Sequence, residues 1–125
     1  MSIISDPVVT LVDVGALTVA AGQAAVTFPI AVDVLGVTPS VTVAPVGASA
    51  TWDINKNGTT IFTTQADRPK ILTTATSGAE ATPAITRFEV GDVLTVDCDV
   101  VGSGTAGTNC TLSIRYRAAA DTPTN

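Results

Sequence analysis

The stretch Thr51-Trp52-Asp53-Ile54-Asn55-Lys56-Asn57-Gly58-Thr59-Thr60-Ile61-Phe62 constrains the fold more than any other part of the chain. Trp52 and Ile54 alternate with polar residues, Asn-Lys-Asn-Gly follows, and a β-branched run leaves on the other side. Asn57 and Gly58 tolerate the positive φ that tight hairpins require. The segment therefore predicts a β-hairpin, residues 50–54 against 59–63.

The rest of the sequence reads in the same idiom. Strands are expected at residues 8–14, 17–20, 25–34, 41–44, 70–75, 84–88, 93–101 and 110–117, each closed by Gly, Pro or Asn signals. Pro29 removes a ladder donor, so the 25–34 strand is expected to be an edge or to carry a bulge. No segment has helical periodicity. About eight short strands with a turn signal every 8–12 residues or so predict an all-β antiparallel sandwich, jelly-roll-like, with little or no helix. A chain of 125 residues without internal repeats fits one domain. We read residues 1–7 as an N-terminal arm, 8–117 as the β-sandwich and 118–125 as a flexible tail.

The last two strands permit a register argument. Leu94, Val96, Cys98 and Val100 share one parity, and Cys110, Leu112, Ile114 and Tyr116 share another. If the two strands form a hairpin with Cys98 opposite Cys110, both apolar rows fall on one side of the sheet. The expected core is Trp52, Ile54, Ile61 or Phe62, Phe88, Leu94, Val96, Leu112, Ile114 and Tyr116. On this register Cys98 and Cys110 are core-side neighbours, either a disulfide or a pair of buried thiols.

Composition narrows function. Thr outnumbers the six basic and eleven acidic residues together, and there are only three Phe, one Trp and one Tyr. A surface of Thr, Ala and Val in place of Lys and Glu suits a protein covered by copies of itself or by a larger assembly. A net charge of −5 with scattered basic residues argues against nucleic acid as a partner. No run approaches the length that spans a bilayer, so no membrane partner is expected. The N-terminus lacks a basic region ahead of Pro7, and synthesis in a cytoplasm without export is expected.

Chemistry is hard to build from these residues. The chain has no His, the commonest general base at neutral pH. Neither cysteine has a base or a metal-ligating companion in its motif, and no phosphate cradle or catalytic triad pattern occurs. Asp92, Asp97 and Asp99 with Asn109 offer oxygen atoms for a hard cation, but a solvated acidic face explains them as well. No catalytic, cofactor-binding or metal residues are assigned, and an enzyme is not expected.

The D-I-N-K-N-G-T-T-I-F hairpin lies after a T-F-P-I segment (Thr27-Phe28-Pro29-Ile30) and before G-D-V-L-T-V-D, which begins at Gly91. This combination, over roughly residues 26–117, resembles the small β-sandwich modules of tailed-bacteriophage virion proteins, which occur in head decoration proteins, head fibres and tail fibres. The resemblance implies a non-enzymatic structural protein of the virion. It points to a capsid decoration (cement) protein that binds the major capsid protein and its own copies, as a homotrimer capping three-fold positions. The alternative it leaves open is a receptor-binding or fibre adhesion module. Under the decoration reading, the apolar arm Met1, Ser2, Ile3 and Ile4 is the candidate shell-binding segment.

Overall fold

The structure is a computed structural model that describes residues 6–119. Among these, nine strands follow in order: β1 (Val8–Ala16), β2 (Ala20–Thr27), β3 (Val32–Ser40), β4 (Ala50–Lys56), β5 (Thr59–Thr60), β6 (Lys70–Ile71), β7 (Arg87–Phe88), β8 (Val93–Val100) and β9 (Thr108–Ala118). The one helical piece among the described residues is a short 3-10 turn, Gln65–Asp67.

Pairing is antiparallel throughout and has a simple logic. β1 pairs with β9, β2 with β8, β3 with β7, and β4 with β5 and β6. The chain is thus one long antiparallel ribbon doubled back on itself at β4–β6. Rolling the ribbon brings β9 also against β3 and β8 also against β4. Two sheets result, β1-β9-β3-β7 (sheet A) and β2-β8-β4-β5 (sheet B), with β6 on the β4 side. This is jelly-roll connectivity, and the all-β sandwich expected from the sequence is what the chain forms.

The hairpin turn behaves as its residues dictate. Asn57 and Gly58 have φ of 51° and 86°, the left-handed pair that lets β4 return as β5. Elsewhere boundaries move. The expected 25–34 strand is two strands, because the chain leaves sheet B after Thr27 and enters sheet A at Val32, with Pro29 in the crossing. The expected 41–44 strand is instead the exit of β3, whose last residues include Pro39, and Val43 makes only an isolated bridge to Thr108. Residues 17–20 are mostly connection, with Leu17 buried.

The closing hairpin is a correction. β8 and β9 are not partners; they lie in different sheets. Cys98 sits opposite Ala20 and Trp52, whereas Cys110 sits opposite Asp13. The parity argument demanded only that both apolar rows face the core, and strands in two facing sheets satisfy it as well as neighbours in one sheet. Seven residues, 101–107, carry the chain between the sheets, and Gly102 donates from its N–H to Ala106 O within that loop.

The core lies between the sheets. Trp52, Ile54, Ile61, Phe62, Phe88, Leu94, Val96, Leu112 and Ile114 are all buried, as the sequence reading expects; Tyr116 is half-buried and packs on Phe28 at 5.1 Å between ring centroids. β3 adds Val32, Val34 and Val37, which the sequence reading had not placed in the core.

Candidate interaction surface

Sheet register defines what each outer face presents. On sheet A, residues of three strands line up in lateral rows: Val8–Arg115–Gly36, Thr10–Ser113–Thr38 and Val12–Thr111–Ser40. Apart from Arg115 these rows hold only Val, Thr, Ser and Gly. Val8 is 52 % exposed, Val12 62 % and Val14 81 %, so β1 turns an apolar row to solvent while Val9 and Leu11 pack inward. Apolar residues on both parities of one strand, Val8-Val9-Thr10-Leu11-Val12, are a sequence signal of a strand covered on both faces, and the sequence reading passed over it.

One corner of this face is charged. Arg115 donates from Nε and Nη2 to the Glu80 carboxylate, both at 2.9 Å, and from Nη1 to Asp6 at 2.7 Å. Glu80 reaches Arg115 by lying over Gly36, where any Cβ would collide with the Glu80 side chain. The hydrogen bond from Arg115 is the main cause that holds the Glu80 carboxyl below its usual range, and the same bonds raise Arg115. Arg117 approaches Asp6 at 3.6 Å, and Tyr116 N–H donates to Pro7 O, so the chain is fastened to β9 where it enters β1. Met1, Ser2, Ile3 and Ile4, the expected shell-binding arm, lie outside the described residues.

Sheet B presents a different chemistry. Asp53 and Asp97 are direct partners on its outer side, with Asp99 next along β8. Each carboxylate is already engaged. Asp53 accepts from Thr60 Oγ1 at 2.6 Å and Ile54 N–H at 2.9 Å, Asp97 from Gly22 N–H and Asn55 Nδ2, and Asp99 from Arg68 at 2.6 Å. Asn109, which the sequence groups with Asp92, Asp97 and Asp99, is on β9 in sheet A, where it accepts from Gly15 N–H and donates to Thr42 Oγ1, while Asp92 accepts from Asn57 Nδ2 and Glu89 N–H just before β8. The four do not converge. No group of three or more acidic or thiol side chains able to hold a metal occurs among the described residues.

Cys98 and Cys110 are free thiols, both buried. Burial, first among the causes, pushes Cys98 up to about 11 and Cys110 up to about 12. A thiol with so little thiolate at neutral pH is a poor nucleophile.

Hollows among the described residues offer little to a ligand. A cavity of about 50 Å³ opens between β1 and β2, with Trp52, Val96, Cys110 and Leu112 among its walls and Asp13 and Gln23 beside them. It is far smaller than ordinary ligand sites, which run to hundreds of Å³. A wider groove of about 350 Å³ is lined by Arg68, Lys70, Leu72, Ser77, Glu80 and others. Of its charged groups, Arg68 is engaged by Asp99, Lys70 by Ala66 O and Glu80 by Arg115, and the remaining one is the acid Asp67.

In comparisons with known proteins, the chain matches no family model, no curated protein and no solved structure.

Proposed function

We propose that the protein is a non-catalytic structural binding protein that adds to the surface of a larger protein assembly, and that this assembly is the head shell of a tailed bacteriophage. The observation that carries the first half is the outer face of sheet A. Its rows of Val, Thr and Ser run to the exposed Val8, Val12 and Val14 of β1. Partly apolar and, in the Thr10 and Val12 rows, free of charge, such a face suits association with protein and gives little to a small polar ligand. The second half rests on the resemblance of the Asp53–Phe62 hairpin and its flanking segments to virion modules.

The decoration role is favoured over host adhesion by where the aromatic rings lie. Receptor-binding sites lean on exposed aromatic anchors. Here Phe28, Trp52, Phe62 and Phe88 are buried and Tyr116 is half-buried against Phe28.

Quantitative mass spectrometry of particles of the phage that encodes this chain, with heads separated from tails, tests the reading. The protein should co-purify with heads in a fixed ratio to the major capsid protein. Recovery with tails alone would transfer it to the adhesion role, and absence from particles would refute both.

A further inference from the structure

We infer that β1 is an edge through which two copies of this chain join, antiparallel and centred on Thr10, so that sheet A of each continues into the other across a two-fold axis. A sheet edge exposes unpaired N–H and C=O groups, and proteins shorten, bulge, charge or cover the edges they mean to keep free. Three of the edges here are treated in that way. β5, β6 and β7 are two residues each, and residues 76–81 bridge to β3 beyond β7, through Val37 to Ala81 and Ser40 to Ser77. β2 is broken by a register shift between Ala20 and Ala24, with Gly22 at φ 65°.

Among the described residues, β1 has no such protection over its first half. It pairs with β9 in unbroken register from Val8 to Asp13, and its shift comes only between Asp13 and Ala16. Asp13, an inward-facing charge, guards that later part. Between Val8 and Val12 there is no charge, no proline and no glycine.

The direction of the free backbone groups follows from one bond. Tyr116 N–H donates to Pro7 O at 3.0 Å, so Pro7 and, by alternation, Val9, Leu11 and Asp13 point their backbone groups at β9. Val8, Thr10 and Val12 therefore point theirs away from the sheet. Centred on Thr10, a second copy sets Val8 opposite Val12, Thr10 opposite Thr10 and Val9 opposite Leu11. These are the cross-strand pairs that β-branched residues favour. The outward groups of Val8, Thr10 and Val12 meet their counterparts as hydrogen-bonding pairs, giving about six new backbone bonds. Asp13 falls opposite Pro7, so no acid meets an acid even though each chain carries a net charge of −5. Joining through sheet B would instead oppose the Asp53, Asp97 and Asp99 faces.

The occupant of the edge is thus a second copy, in two-fold rather than the three-fold symmetry implied by the resemblance. The inference is independent of which shell the protein binds.

Sedimentation equilibrium of the full chain over a wide concentration range tests it, with three variants. The wild type should reach twice the monomer mass. Val12→Lys places a charge on the edge, and Thr10→Pro removes an N–H that the isolated domain does not use, a position where proline is tolerated. Both should sediment as folded monomers with unchanged circular dichroism. Thr10→Cys should yield a covalent dimer under mild oxidation, because paired strand residues lie within disulfide reach of one another. A wild type that stays monomeric at millimolar concentration would overturn the inference. So would a trimer, or a dimer that persists in both Val12→Lys and Thr10→Pro.

Discussion

Thr60 is a small residue with several bonds to lose. Its hydroxyl donates to the Asp53 carboxylate at 2.6 Å and accepts from Phe62 N–H at 3.1 Å, with Gln65 Nε2 at 3.3 Å. Asp53 is 8 % exposed and Phe62 1 % exposed, so water can do little to replace the hydroxyl. Thr60→Val keeps the shape and deletes only the oxygen. Asp53 is then left with the Ile54 N–H alone, and Phe62 N–H loses its partner. A lost bond to a charged group is worth about 1.5–3 kcal/mol and a stranded buried donor about 1–3. The two share one oxygen and do not add fully, so we expect a loss of about 2–4 kcal/mol. For a domain of this size that lowers the melting temperature by roughly 8–15 °C. Thermal unfolding followed by circular dichroism measures it, with Thr59→Val as an exposed neighbour that should change little. In an Asp53→Asn background Thr60→Val should be milder by about 1 kcal/mol or more, because the charged partner is gone. A fall below about 2 °C in the first experiment, or full additivity in the second, would show that the network does not hold the β4–β5 hairpin as described.

The buried thiols should be inert in the native protein. At pH 8 neither Cys98 nor Cys110 should react with Ellman's reagent until denaturant is added, and rapid titration of either in the folded state would contradict their burial. The Glu80–Arg115 pair should give a small acid-side dependence. The folded Glu80 value lies below the ordinary 4.5, so the pair's stabilisation is present above that pH and fades as pH falls through the lower folded value. Both side chains are more than a third exposed, so solvent screens the pair and keeps the effect small. Glu80→Gln should flatten the fall of melting temperature between pH 5 and pH 3, and a slope identical to wild type would remove the pair from the stability account.

What the sequence shows of this fold depends on how local the signal is. The β4–β5 hairpin is written in Asn57-Gly58, because positive φ at two successive residues is a property of those residues alone. β3 is obscured because Pro39 lies in it; Pro39 sits opposite Leu112 in the β9 ladder but turns its backbone to the other side, where its carbonyl accepts from Gly78 N–H, so its missing N–H costs that ladder no bond. Parity brought Cys98 and Cys110 both to the core but could not say which sheet each belongs to, since facing sheets and neighbouring strands bury the same alternation. The candidate interaction surface is legible only in outline. A Thr-rich, charge-poor composition suits the proposed covered surface, yet it takes register to gather Val8, Thr10, Val12, Thr111, Ser113 and Thr38 onto one face. The buried position of Asp53 had no sequence signal, because it depends on Thr60 folding back over it.

The proposed binding of this jelly roll to a preformed phage head from outside is tested by adding purified protein to head shells assembled without it and separating the two by density sedimentation. Saturable capture is expected, with a fixed number of copies per shell and a rise in the shell's melting temperature. Substitution of Thr38 and Ser113 on the sheet A face by Glu should weaken that capture while the domain stays folded. Shells that emerge bare at saturating protein, or capture unaffected by charge on that face, would contradict it.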